Sequence, residues 1–116
     1  MTTTAPTVTV DRDYTLDHKY TRSSGRIYLS GIQALVRLPL MQQMRDRALG
    51  LNTAGFLSGY RGSPLGGLDQ ALWSARKHLK AANVEFAAGL NEDLAATAVW
   101  GSQQVNLFPG ARYDGV

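Results

Sequence analysis

NTAGFLSGYRGSPLGG, residues Asn52–Gly67, passes within sixteen positions from small and apolar side chains to a loop containing four glycines. A short apolar run bounded by turn residues reads as a buried strand, here Asn52–Ser58, and Gly59–Gly67 is the loop that leaves it. Downstream, Leu68–Ala82 places Leu68, Ala71, Leu72, Ala75, Leu79 and Ala82 on one helical face, with Arg76, Lys77 and Lys80 in the last turns, where cations complement the helix dipole. Asn83–Ala87 is a second candidate strand. Asn91 then caps a helix expected to run to about Phe108, with Glu92 and Asp93 in its first turn and Pro109–Gly110 as its stop. Strand, loop, helix, strand, helix is a βαβα order, so the fold class is α/β with a parallel sheet flanked by helices. Two parallel strands bury little, and a third is expected after ARYDGV. The sheet is therefore read as incomplete and the chain as the opening piece of a longer polypeptide.

Upstream of this unit, Ile32, Val36, Leu40, Met44 and Ala48 recur every four residues, with Leu35 on the same side. That spacing predicts an amphipathic helix ending near Gly50, and Pro39 inside it is expected to kink or split it. Arg26–Ser30 is a candidate short strand. Asp11–Ser24 reads as an extended arm anchored on a neighbour by Tyr14, Leu16 and Tyr20, and Met1–Val10 as a mobile tail. The domain division is then 1–12 tail, 13–30 arm and 31–116 the α/β unit.

Composition excludes several classes of function. The chain has 116 residues, 44% of them hydrophobic, and twelve Lys+Arg against nine Asp+Glu give a net charge of +3. No run approaches the ~18 apolar residues of a membrane span, and the threonine-rich start lacks the basic-then-apolar order of a signal peptide, so a cytoplasmic location is expected. Absence of cysteine excludes disulfides, thiolate zinc sites, thiol nucleophiles and iron–sulfur ligation within these residues. The basic excess lies in residues 1–50, seven cations against four anions, but it is scattered singly rather than clustered. Nucleic-acid surfaces need clustered cations and stacking aromatics, so nucleic acid is not an expected partner.

Two places can carry chemistry. The glycine loop lies where open α/β sheets bind ligands, at the carboxyl end of a strand and before a helix. It matches neither G-x-G-x-x-G nor G-x-x-x-x-G-K-[ST]. Its glycines, Gly59 and Gly62 among them, would let backbone approach a ligand; Arg61 would pair with a carboxylate or phosphate, and Ser63 would donate a hydrogen bond. The competing reading is a plain strand-to-helix turn, with Ser63 as a cap and Pro64 at a helix start. Asn91-Glu92-Asp93 is the second place. A carboxylate there is either a positioned acid/base group facing the sheet crevice or a complement to the helix dipole. His18 and His78 are 60 residues apart with no carboxylate spacing around them, so a metal pair is not expected, and His78 is read as a surface residue. Trp73 and Trp100 are read as packing residues, and Gln103–Asn106 as a polar helix end facing a partner subunit or domain.

Taken together, the run from DYTLDHKYTRSSGRIYLSGIQALVRLPL through SGYRGSPLGG to NEDLAATAVWGSQQVNLFPGARYDGV resembles the amino-terminal end of the large fused indolepyruvate ferredoxin oxidoreductases of bacteria. These are thiamine-diphosphate-dependent 2-oxoacid:ferredoxin oxidoreductases, far longer than this chain. The resemblance spans about Asp13–Val116, and Ser58–Gly67 and Asn91–Gly110 are its most specific stretches. It implies the start of the pyrimidine-binding domain of a thiamine diphosphate fold. Glu92 matches the glutamate that contacts the aminopyrimidine ring and promotes loss of the thiazolium C2 proton. It further implies that Gly59 and Gly62 shape the cofactor loop and that Ser63 takes the hydroxyl position near the substrate. Arg61 stands where many relatives carry proline. The implied reaction is oxidative decarboxylation of indolepyruvate or another aryl-pyruvate to an acyl-CoA, with electrons passed to ferredoxin. Magnesium ligands, the diphosphate-binding domain and the 4Fe-4S clusters would lie outside these residues, and a homo-oligomer is expected for the full-length protein. The isolated segment is expected neither to hold the cofactor tightly nor to turn over. Two alternatives stand beside this one: a non-catalytic interaction or anion-binding module with the same fold, and another thiamine-diphosphate-dependent 2-oxoacid oxidoreductase.

Overall fold

A computed structural model describes residues 9–116; most of the expected tail, residues 1–8, lies outside the described residues. Seven regular elements follow: α1 (His18–Thr21), α2 (Gly31–Ala48), β1 (Gly55–Gly59), α3 (Leu68–Ser74), α4 (Arg76–Ala81), β2 (Val84–Ala88) and α5 (Glu92–Ser102). A short 3-10 turn at Val105–Leu107 succeeds them.

β1 and β2 pair in parallel, from Gly55 opposite Val84 to Gly59 opposite Ala88. The expected α/β architecture is thus present as a two-stranded parallel sheet between helices. β1 starts three residues later than the sequence suggests and is half-buried rather than fully buried. Thr53, upstream of it, instead bridges to Gly115, with the Ala54 amide donating to the Gly115 carbonyl at 3.0 Å. The Gly55 amide donates the opposite way, to the Asn83 carbonyl at 2.9 Å. The chain therefore leaves β1, adds β2 on one edge and returns to the other edge, where it makes a single parallel bridge just before the position at which a third strand is expected.

One face of the sheet carries the core. Val36 and Leu40 of α2, Leu72 of α3, Ala75, Leu79 of α4, and Val84 and Phe86 of β2 are all buried there. Leu57 of β1 packs against them. Alternation along β2 explains the sidedness: Val84 and Phe86 point inward, while Glu85 and Ala87 point to the other face and are exposed. α5 covers that second face, lying against β1.

α2 is fixed at its start by a reciprocal cap. Ser30 Oγ accepts from the Gln33 amide at 3.3 Å, and Gln33 Oε1 accepts from the Ser30 amide at 3.0 Å. Past its end, Gly50 takes a positive φ of 76°, which a side chain would resist. Pro39 does not split the helix, which runs unbroken from Gly31 to Ala48. The buried stripe also differs from the expected one: it is Val36, Leu40, Gln43 and Asp46, whereas Leu35 and Ala48 are exposed. A strict four-residue repeat overshoots each helical turn by about 40°, so Ala48 has rotated off the face on which Val36 sits. Spacings of four and then three keep the stripe straight. Asp46 is paired locally, accepting from the Gln42 side chain at 2.7 Å and from the Thr53 hydroxyl, whereas Gln43 donates through Nε2 to Thr53 Oγ1 at 3.1 Å and leaves its buried Oε1 without a partner among the described residues.

Other expectations need correction. Leu68–Ala82 is two helices, parted at buried Ala75, where the His78 amide bonds the Ala75 carbonyl three residues back. α5 ends at Ser102 rather than near Phe108. Beyond it Asn106 Nδ2 donates to the Asp114 carbonyl at 2.7 Å. Arg26–Ser30 is not a strand: Tyr14 Oη takes its place, accepting from the Tyr28 amide at 2.9 Å. The arm contains α1 and is held by Arg37, which donates to the carbonyls of Lys19 and Arg22, while Leu16 is exposed. His78 is not a free surface residue. It packs on the Tyr20 ring, with centroids 5.2 Å apart, and faces Asp17.

Candidate functional site

Because β1 and β2 run in parallel, their carboxyl ends open on the same side of the sheet. Successive connections depart there toward opposite edges, and such a divergence leaves a crevice at the strand ends. The loop after β1 and the start of α5 after β2 both enter it.

The α5 start is set by three residues. A Cβ on Gly89 would lie 2.9 Å from the Ala95 Cβ, so glycine is what lets the helix begin this close to β2. Asn91 is the cap, with Oδ1 accepting from the Leu94 amide at 2.9 Å. Glu92 is then the first helical residue, exposed at the crevice mouth. The cap is already supplied by Asn91, and Asp93 stands in the same turn to complement the dipole. Glu92 is therefore not needed to start the helix.

The crevice itself is a cavity of about 550 Å³. Ser58, Gly59 and Tyr60 form its sheet side, and Ala95, Ala96, Val99 and Trp100 form a wall of small and apolar groups along α5. Ser63 and Glu92 stand at the polar rim. Tyr60 Oη donates to Glu92 Oε1 at 3.2 Å. That hydrogen bond to a carboxylate, with burial and the negative charge adding to it, holds the Tyr60 phenol above its ordinary value of 10.0. Among the described residues none hydrogen-bonds Glu92 Oε2. Ser63 Oγ accepts from the Leu65 amide at 3.2 Å, so this side chain braces the turn while keeping its own proton to donate.

Of the residues singled out from sequence, Gly59, Ser63 and Glu92 therefore meet in one cavity. Gly62 and Arg61 stand behind it. A Cβ on Gly62 would come within 2.6 Å of Tyr60 Cε2, so this glycine makes room for the tyrosine ring. Arg61 Nε donates to Asp69 Oδ2 at 3.1 Å, with Asp69 buried in the first turn of α3. Its charge is directed at a carboxylate of this chain and ties the loop to the helix it precedes.

Three participants carried no local signal in the sequence. Tyr60 meets Glu92 across 32 residues, Asp69 reads as an ordinary first-turn acid, and Gly89 as punctuation. Trp100 is a cavity wall and 68% exposed, not core, and Trp73 stacks edge-on against Phe86 at 5.4 Å. Among the described residues no group of three or more His, Cys, Asp or Glu side chains is placed to hold a metal ion, and no helix is long and apolar enough to cross a membrane. Comparison with protein-family models, with curated proteins and with solved structures gave no match.

Proposed function

We propose that this chain is the amino-terminal part of an indolepyruvate-type 2-oxoacid:ferredoxin oxidoreductase, contributing the pyrimidine side of a thiamine diphosphate site. The observation that carries the reading is Glu92. It is a carboxylate at a helix start that already has its cap, it borders a cavity at the strand ends, and one of its oxygens has no partner among the described residues.

The residues present fit one end of the cofactor. A flat heteroaromatic ring suits a wall of Ala95, Ala96, Val99 and Trp100, with Glu92 Oε2 reaching a ring nitrogen. They do not supply the other end: the one cation of the loop, Arg61, is turned to Asp69, and no carboxylate cluster suits magnesium among the described residues. Diphosphate and Mg²⁺ ligands therefore belong to a further domain in this reading, as do the cysteines of 4Fe-4S clusters.

When bound, thiamine diphosphate supplies the carbon nucleophile and the electron sink for a 2-oxoacid. The work of this chain is narrower. Glu92 exchanges a proton with the ring nitrogen and fixes the ring's orientation, and a carboxylate is the side chain suited to both at neutral pH. The apolar wall of Ala95, Ala96, Val99 and Trp100 offers the ring a face to pack on beside that contact. Ser63 offers its hydroxyl to the 2-oxoacid oxygen. Indolepyruvate or a related aryl-pyruvate is the proposed substrate, with CoA and ferredoxin as the other reactants, in a cytoplasmic homo-oligomer. An anion-binding module is the weaker reading, since Arg61, the one cation of the loop, already donates through Nε to Asp69.

The test is deuterium exchange at C2 of thiamine diphosphate bound to the full-length protein. Glu92→Gln preserves folding and slows exchange about 100-fold or more, the scale of a lost acid/base group. Exchange at the native rate would remove Glu92 from this role.

A further inference from the structure

Resting on that reading of Glu92, we propose that Tyr60 is a positioning residue, its phenol holding one carboxylate oxygen so that the other is presented to the cavity. A glutamate at an exposed helix start has three rotatable side-chain torsions, and nothing in α5 itself restrains them. The one restraint among the described residues comes from the residue that follows β1: Tyr60 Oη donates to Glu92 Oε1 at 3.2 Å. A carboxylate tethered through one oxygen can turn only about that bond, which directs Oε2 rather than leaving it to sample solvent.

Two further features fit a dedicated support. Tyr60 follows directly on Gly59, the last residue of β1, so its backbone is anchored by the sheet. The ring is also backed by Gly62, where any Cβ would stand 2.6 Å from Tyr60 Cε2. Glycine at that position thus acts on Glu92 at one remove, by letting the tyrosine stand where it reaches the carboxylate. The raised Tyr60 ionisation is the expected companion of the contact, because the hydrogen bond requires the neutral phenol.

Tyr60→Phe keeps the ring and its packing on Gly62 and removes only the hydroxyl. In the full-length protein it is expected to slow C2 deuterium exchange of bound thiamine diphosphate about tenfold, the worth of one hydrogen bond to a charged group. Affinity for the Mg²⁺ complex of the cofactor should stay within about twofold, a split that a general loss of structure would not produce. Gly62→Ala should slow exchange in the same direction, and the Tyr60→Phe/Glu92→Gln double variant should be no slower than Glu92→Gln alone. Native exchange in Tyr60→Phe beside slowed exchange in Glu92→Gln would overturn the proposal while leaving the proposed function standing. Native exchange in Glu92→Gln would instead overturn the function, and the apo-protein then decides the contact. With ring-labelled tyrosine and Tyr60 assigned by its loss in Tyr60→Phe, Glu92→Gln should let Tyr60 ionise at lower pH. An unchanged Tyr60 titration would show that the phenol does not hold Glu92.

Discussion

The two faces of this small sheet are built to different standards. On one, Val36, Leu40, Leu72, Leu79, Val84 and Phe86 close into a dry core beneath three helices. On the other, a single helix contributes one buried residue, Ala95, and leaves Leu94 and Trp100 about half or more exposed beside an open cavity. Packed apolar area gives stability, whereas a cavity with a polar rim forgoes some of it in exchange for a place to bind. Substitutions on the first face should therefore act on folding, and those on the second on binding or chemistry.

The sharpest way to break that contrast is Leu79→Ala. Leu79 is 2% exposed, and truncating it should cost ~2–5 kcal/mol in denaturant unfolding, large against the stability of a small domain. Glu92→Gln should sit at the other extreme, within about 0.5 kcal/mol of native stability for an exposed site while abolishing most cofactor activation. A large loss of stability in Glu92→Gln would erase the distinction between the faces. Ser63→Ala should fall between: it loses the brace to Leu65, costs about 1 kcal/mol, and weakens 2-oxoacid handling. Unchanged kinetics with indolepyruvate would confine Ser63 to the turn.

The smallest effect is one of pH. Burial holds the Tyr20 phenol above its ordinary value of 10.0, so the folded state prefers the neutral form. Its contribution is fully present below about pH 10, the ordinary phenol value, and is lost as pH rises toward and through the higher folded value. Thermal melts at rising alkaline pH should show the native protein losing stability faster than Tyr20→Phe; parallel curves would mean that the arm does not bury this ring.

Much of the first face was legible along the chain. Leu72, Ala75 and Leu79 followed helical spacing, and the βαβα order led directly to a parallel pair. Errors there came from geometry that a repeat cannot convey, such as the drift of a four-residue spacing in α2 or the break at Ala75. The second face was legible in its parts and not in its assembly. Gly59, Ser63 and Glu92 can be named from the sequence, whereas the pairing of Arg61 Nε with Asp69 and that of Tyr60 with Glu92 carry no local signal.

By itself the sequence determined the two paired strands, their alternation with helices, that Asn91 caps α5, and which carboxylate stands at its start. These are local properties, fixed by periodicity, caps and turn residues within a few positions. Only the tertiary structure decided what each polar side chain does with its charge. The partner of Glu92 arrives from 32 residues away and that of Arg61 from the next helix. Electrostatic pairing depends on distance in space, which chain order does not encode.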